Sequence, residues 1–181
     1  MTLEREAGIM KKNYLIVVDM QKDFVDGVLG TSEAVSIVPA VLARVKQAKA
    51  DGEIVIFTRD THEENYLDTQ EGKNLPVRHC IRGTEGWEII PELRPYAETV
   101  FDKPTFGSRK LGEFLASQED VGQVTVIGLC TDICVISNVL MIKAFLPEVP
   151  IVVEEKCCAG VTPESHRTAL AAMKSCQIYV E

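Results

Sequence analysis

Cys134 is the side chain of this sequence with the clearest capacity for covalent chemistry. It closes the run Gly128-Leu129-Cys130-Thr131-Asp132-Ile133-Cys134, at about the third position of an expected helix that Thr131 could cap. A helix N-terminus favours a thiolate, and a thiolate is a strong nucleophile. Asp19, directly after an apolar run, could take the thiol proton. Lys103 in a partly dry site would stabilise both negative groups. Each residue also has a plainer reading: a buried core cysteine, a turn-capping acid, a solvated lysine. Their shared position at the ends of expected strands favours chemistry.

A second group suits a metal. Asp60 and His62 are two residues apart, and His79 lies on the same stretch of chain. Only three histidines exist, the third being His166, so two near one loop carry weight. Glu71 lies between them. One Asp, two His and a Glu, with water completing the shell, would suit Zn²⁺ first and Mn²⁺ or Fe²⁺ as alternatives. The plainer reading is loop histidines bonded to backbone. The Arg82-Gly83-Thr84-Glu85-Gly86-Trp87 segment reads as a turn with the only Trp, either part of the site or an anchoring aromatic. No GxGxxG and no GxxxxGK[ST] occurs, so the usual dinucleotide and P-loop glycines are missing.

The elements that must position these groups alternate along the chain. Strands are expected at Tyr14 to Val18, Glu53 to Thr58, Thr99 to Phe101, Val124 to Gly128, Ile151 to Glu154 and Gln177 to Val180. Helices are expected at Pro39 to Asp51, Lys110 to Ser117, Asp132 to Phe145 and Pro163 to Lys174. Pro39 suits a first helical turn and Gly52 a stop. Alternation of solid apolar strands with helices indicates an α/β fold, a mainly parallel sheet covered on both faces. In such sheets, sites form at the carboxyl ends of the strands.

Composition narrows the class further. The 181 residues suit one domain, with residues 1–12 expected to be a flexible segment. A formal charge of −8, from 19 basic and 27 acidic residues, disfavours nucleic acid and anionic membrane as partners. No apolar run is long enough to span a bilayer. The charged opening lacks a secretory core, so a cytoplasmic location with reduced cysteines is expected. The six cysteines contain no CxxC, which argues against a thiolate zinc site.

From Tyr14 to Val180 the chain resembles the isochorismatase-like cysteine hydrolases, and within them the nicotinamidase branch. The resemblance rests on ordered motifs: Val17-Val18-Asp19-Met20-Gln21-x-Asp23-Phe24, Arg59-Asp60-Thr61-His62, Pro76-x-x-His79-Cys80 with Gly83-Thr84-x-Gly86, Lys103, and Gly128-x-Cys130-Thr131-Asp132-x-Cys134-Val135. It implies a domain over residues 13–181 with a three-layer α/β/α, Rossmann-type architecture around a six-stranded parallel sheet. It implies a catalytic triad of Asp19, Lys103 and Cys134 and a divalent ion held by Asp60, His62 and His79. Many members add a histidine shortly after the first one. Here Glu63, Glu64, Asn65 and Tyr66 follow instead, and Glu71 is the candidate fourth ligand. The resemblance further implies a non-proline cis peptide at Leu129–Cys130, an oxyanion hole from the N–H groups of Cys130 and Cys134, and pocket walls from Phe24, Leu29 and Phe106. Core packing is the plainer reading of those three apolar residues.

The implied reaction is hydrolysis of nicotinamide to nicotinate and ammonia through a thioester, with the metal or its water holding the ring nitrogen. Cys134 argues against vinyl-ether hydrolysis, since isochorismatases proper lack that cysteine. The Asp60, His62 and His79 set argues against ureidoacrylate and carbamoylsarcosine amidases, which generally lack it. Other readings are a related carbamoyl or carboxamide hydrolase, a non-catalytic relative, and a redox sensor using Cys130 and Cys134. Relatives are often dimers or tetramers, so a homo-oligomer is expected.

Overall fold

The computed structural model describes residues 11–181. Most of the expected flexible segment, residues 1–12, lies outside the described residues. Lys12 does not belong to such a segment: it opens the first strand, pairing with Val121 and placing its ammonium 2.6 Å from Asp120.

Six strands form one sheet: β1 (Lys12–Val18), β2 (Ile54–Asp60), β3 (Val100–Lys103), β4 (Val121–Leu129), β5 (Ile151–Ala159) and β6 (Tyr179–Val180). Their order is β3-β2-β1-β4-β5-β6, and every neighbouring pair is parallel. Among the described residues six α-helices connect them: α1 (Lys22–Val25), α2 (Ser32–Asp51), α3 (Gln70–Asn74), α4 (Arg109–Ala116), α5 (Ile136–Phe145) and α6 (Pro163–Ser175). This is the expected α/β fold. Leu15 to Val18 and Val124, Val126 and Ile127 are wholly buried, as the central strands of a sheet covered on both faces must be. The strand order reverses between β1 and β4, and the crevice beyond their carboxyl ends is where such sheets place a site.

Two contacts position that crevice. Gly128 has φ +115°, and a Cβ there would stand 2.1 Å from the Val18 carbonyl oxygen. Only glycine lets β4 lie against β1 at this level. In the β2–β3 register Asp60 pairs with Lys103, so the two parallel strands end with these side chains adjacent.

Some boundaries differ from the sequence expectation. Helix α2 begins at Ser32, not Pro39, because the Thr31 hydroxyl accepts the Ala34 N–H at 3.0 Å and Ala34 and Ile37 extend its buried stripe. Pro39 sits inside the helix on its exposed side, where water can serve the carbonyl it leaves unpaired. The stop is as expected: Gly52 adopts φ +76°. Strand β5 runs on through the outward Glu155 and Lys156 to the buried Cys157, Cys158 and Ala159. A polar pair inside a strand ends an apolar pattern without ending the strand. The expected helix at Asp132 to Phe145 opens with a wider π turn, Thr131–Val135, before α5. Among the described residues, no helix is long and apolar enough to cross a membrane.

Candidate active site

Lys103 is the hub of the crevice. Its side chain is 1% exposed, and its Nζ lies 2.6 Å from Asp19 Oδ2, 3.3 Å from Asp60 Oδ1 and 3.5 Å from Cys134 Sγ. Burial by itself would strip the proton from this lysine. Asp19 first, then Cys134 and Asp60, outweigh that effect and raise its pKa. The structure thus brings together the three side chains expected to form a triad, from the ends of β1 and β3 and from the turn after β4.

Asp19 adopts φ +46° where β1 ends. Its Oδ1 accepts the Thr58 hydroxyl at 2.7 Å. Burial raises its pKa, while Lys103 and Thr58 hold the charged form. Burial also raises the Cys134 thiol well above the ordinary cysteine value, with Lys103 opposing and Asp19 reinforcing the shift. The direction is opposite to that expected from a helix N-terminus. The thiol is enclosed, and the wider π turn replaces the regular first turn of α5. A neutral thiol beside a buried carboxylate is an arrangement in which proton transfer creates the nucleophile on demand.

The peptide Leu129–Cys130 is cis, as the resemblance implied. Cys130 follows it, and its thiol is pushed up to about 12 by burial and then by Asp132. All six cysteines are free thiols; Cys80, Cys157 and Cys158 are buried and Cys176 is exposed.

Beside the hub, Asp60, His62, Glu71 and His79 offer ligand atoms that all lie within 4.8 Å of one another. His62 Nε2 is 2.9 Å from Asp60 Oδ2 and 3.5 Å from Glu71 Oε1. His79 Nε2 is 3.6 Å and 3.9 Å from the same two oxygens. His62 Nε2 is buried and, despite the nearby Asp60 oxygen, has no partner in hydrogen-bonding alignment. His79 Nδ1 lies 2.8 Å from the Val77 carbonyl, which fits Nδ1–H donation and leaves the Nε2 lone pair facing the acids. Burial works against a charge on Asp60, yet Lys103 and the two histidines hold its carboxyl well below the usual range. Glu71 is shifted upward by burial and by Asp60. An orphaned buried imidazole nitrogen, a second aimed lone pair and two carboxylates fit a divalent cation.

The supports of this group were not legible as such in the sequence. Gln21, fully buried, donates its Nε2 to the Asp60 and Trp87 carbonyls and accepts the Asp60 N–H on Oε1 at 2.7 Å. Asp23 Oδ2 accepts the Cys80 N–H at 2.7 Å and so fixes the chain beside His79. The Tyr66 ring lies 4.6 Å from that of His62 and 5.0 Å from that of His79, and its hydroxyl donates to Leu75 O. Trp87 anchors the turn that carries it: its Nε1 donates to Thr61, and the Arg59 guanidinium stacks 3.6 Å from its ring. The Asp-Met-Gln-x-Asp spacing after β1 marked Gln21 and Asp23, but nothing local shows what they hold.

A cavity of about 310 Å³ opens onto Cys134. Phe24, Leu29 and Phe106, the expected walls, line it together with Asp60, Glu71, His79 and Cys130. Thr31, Leu75, Ile133 and Val161 also line it, without a sequence signal that could have singled them out.

A model of the isochorismatase domain matches residues 13–181. An isochorismatase family protein of Bacillus subtilis is 28% identical over 174 residues, covering 88% of this chain and 93% of that protein. The nicotinamidase/pyrazinamidase of Mycobacterium tuberculosis is 31% identical over 137 residues, covering 67% of this chain and 73% of that enzyme. Among solved structures, the pyrazinamidase of Pyrococcus horikoshii in complex with zinc superposes with a TM-score of 0.83 at 28% identity, covering 94% of this chain and 98% of that one. With its fold and its buried Asp–Lys–Cys cluster, the chain belongs to the isochorismatase family of hydrolases. Within that family its similarity runs to nicotinamidases and pyrazinamidases.

Proposed function

We propose that this chain is a cysteine amidohydrolase that converts nicotinamide to nicotinate and ammonia. The observation that carries the reading is the single buried ammonium of Lys103, within 3.5 Å of Asp19, Asp60 and Cys134. It couples a base, a nucleophile and a metal-type cradle in one cavity.

In this reading Asp19 takes the Cys134 proton as Sγ attacks the amide carbonyl carbon. The N–H groups of Cys130 and Cys134 receive the developing oxyanion. The C–N bond breaks as Asp19 returns the proton to the leaving ammonia. Asp19 then accepts a proton from water as that water attacks the thioester, the C–S bond breaks as Asp19 passes this proton to the Cys134 sulfur, and the product acid releases its own proton to solvent as nicotinate. Lys103 keeps Asp19 ionised between these steps and favours the transient thiolate. Phe24, Leu29 and Phe106 enclose the ring. Asp60, His62 and His79, with Glu71 as the fourth candidate, would hold a divalent ion, zinc foremost. When bound, such an ion supplies a Lewis acid for the ring nitrogen, which orients the carboxamide and makes the attack effectively intramolecular.

The test is ammonia release from a panel containing nicotinamide, pyrazinamide and carbamoyl compounds, with Cys134→Ala as the blank. Turnover of the pyridine and pyrazine carboxamides, absent in the blank, is expected. Turnover of carbamoyl compounds alone would move the chain to another branch of its family.

A further inference from the structure

Asn138 lies on α5, one turn beyond Cys134, and is 1% exposed. Its carboxamide does not simply fill space. One N–H of Nδ2 donates to the Cys134 carbonyl at 2.8 Å, and the other serves the Phe106 carbonyl at 3.1 Å. Its Oδ1 accepts the Ser108 N–H at 2.9 Å. Both donors and one acceptor are therefore engaged, and all three partners are backbone groups. Two belong to the loop between β3 and α4, which carries Phe106 into the cavity just after Lys103. The third belongs to the residue bearing the thiol.

The Ser108 end of the loop is also tied to α4, where its Oγ accepts the Leu111 N–H at 3.2 Å, while the Phe106 carbonyl is held by Asn138. Phe106 is 41% exposed, whereas Gly107 is buried against α5, where an added Cβ would stand 3.0 Å from Met141 Cε and 3.4 Å from the Ser137 carbonyl oxygen. The chain thus approaches α5 closely enough for a short side chain to bridge it.

We infer that Asn138 is a positioning residue that clamps the Phe106 wall of the pocket to the Cys134 turn. Chemistry selects the residue. Aspartate has the length without the two donors, and leucine has neither donors nor acceptor. Threonine can return a hydroxyl to the carbonyl four residues back but cannot bridge to the loop. Without the bridge, the wall that holds the substrate ring would drift relative to the sulfur. A wall that contacts the ring equally in the ground state and the transition state sets KM more than kcat.

The inference rests on the proposed role of Cys134, and its test separates the two. Asn138→Thr and Asn138→Leu would be compared with the full-length parent chain in nicotinamide kinetics, in alkylation of Cys134 by iodoacetamide, and in hydrogen exchange of the 104–108 loop. Asn138→Thr keeps the bond within α5. It should raise KM for nicotinamide about tenfold while kcat changes less than about threefold, and speed exchange at Ser108. Asn138→Leu also frees the Cys134 carbonyl, so it should lower kcat as well and change the alkylation rate. Parental kinetics in a folded Asn138→Thr would overturn the inference. So would equal losses of kcat and of thermal stability with no KM effect, since that pattern marks a purely structural residue. If the parent chain releases no ammonia, the proposed reaction fails, and the clamp is then judged on exchange and alkylation. Parental values of both in the variants would overturn it.

Discussion

Lys103 stands opposite Asp60 in the β2–β3 register, with Nζ 3.3 Å from Oδ1 while the other carboxylate oxygen faces His62 at 2.9 Å. One carboxylate therefore belongs to both halves of the site. This gives the site its charge balance: Lys103 neutralises one of the two buried acids beside it, and the cradle of Asp60, Glu71 and two imidazoles retains negative charge for a cation.

Replacing Lys103 by Met would leave Asp19 and Asp60 buried without their cation. Removing one partner of a buried pair costs about 3–5 kcal/mol. Urea denaturation of Lys103→Met should show a loss of that order, and ammonia release should fall to background. Unchanged stability would mean that the ammonium is not the partner of these acids.

His62→Ala and His79→Ala should each strip metal from the purified protein and chiefly raise KM. Glu71→Gln should weaken metal retention less, since a carboxamide oxygen remains. An ion that binds only the folded chain stabilises it by about 2.7 kcal/mol when present at 100 times its dissociation constant. Chelation should therefore lower Tm in the parent chain and leave both histidine variants unmoved. Parental metal content in both variants would show that the ligand set is wrong.

Gly128→Ala tests the seam between β1 and β4. Its Cβ would meet the Val18 carbonyl oxygen at 2.1 Å on a backbone at φ +115°. Forcing a methyl group into a packed core costs about 1–3 kcal/mol, and this position should reach the upper end. The loss should appear in thermal unfolding together with reduced activity, because Asp19 and the Cys134 turn leave these two strands. A variant as stable as the parent would mean that the strands can separate freely here.

Much of this was legible in the chain because it depends on local pattern. The solid apolar runs at Tyr14 to Val18 and Val124 to Gly128 give buried parallel strands, and the topology of such sheets assigns Asp19, Asp60, Lys103 and Cys134 to one edge. Boundaries were less legible where a long-range contact decided them. Thr31 starts α2 earlier than Pro39 suggests, and β5 continues through Glu155 and Lys156 because Cys157 to Ala159 return to the core. What Gln21, Thr58 and Asn138 hold is not legible for a related reason. Their amides and hydroxyl act on backbone or carboxylate groups of other elements, up to 66 residues away. No spacing rule within the chain encodes that. The direction of the Cys134 shift was also hidden, since burial, which dominates it, is a property of the finished fold.

Whether Cys134 carries the acyl group is read by intact-protein and peptide mass spectrometry of enzyme quenched during nicotinamide turnover. A nicotinoyl adduct is expected on the peptide containing Cys134, absent from Cys134→Ala, which should also release no ammonia. Ammonia release at the parental rate by folded Cys134→Ala, or turnover with the acyl group on another residue, would contradict it.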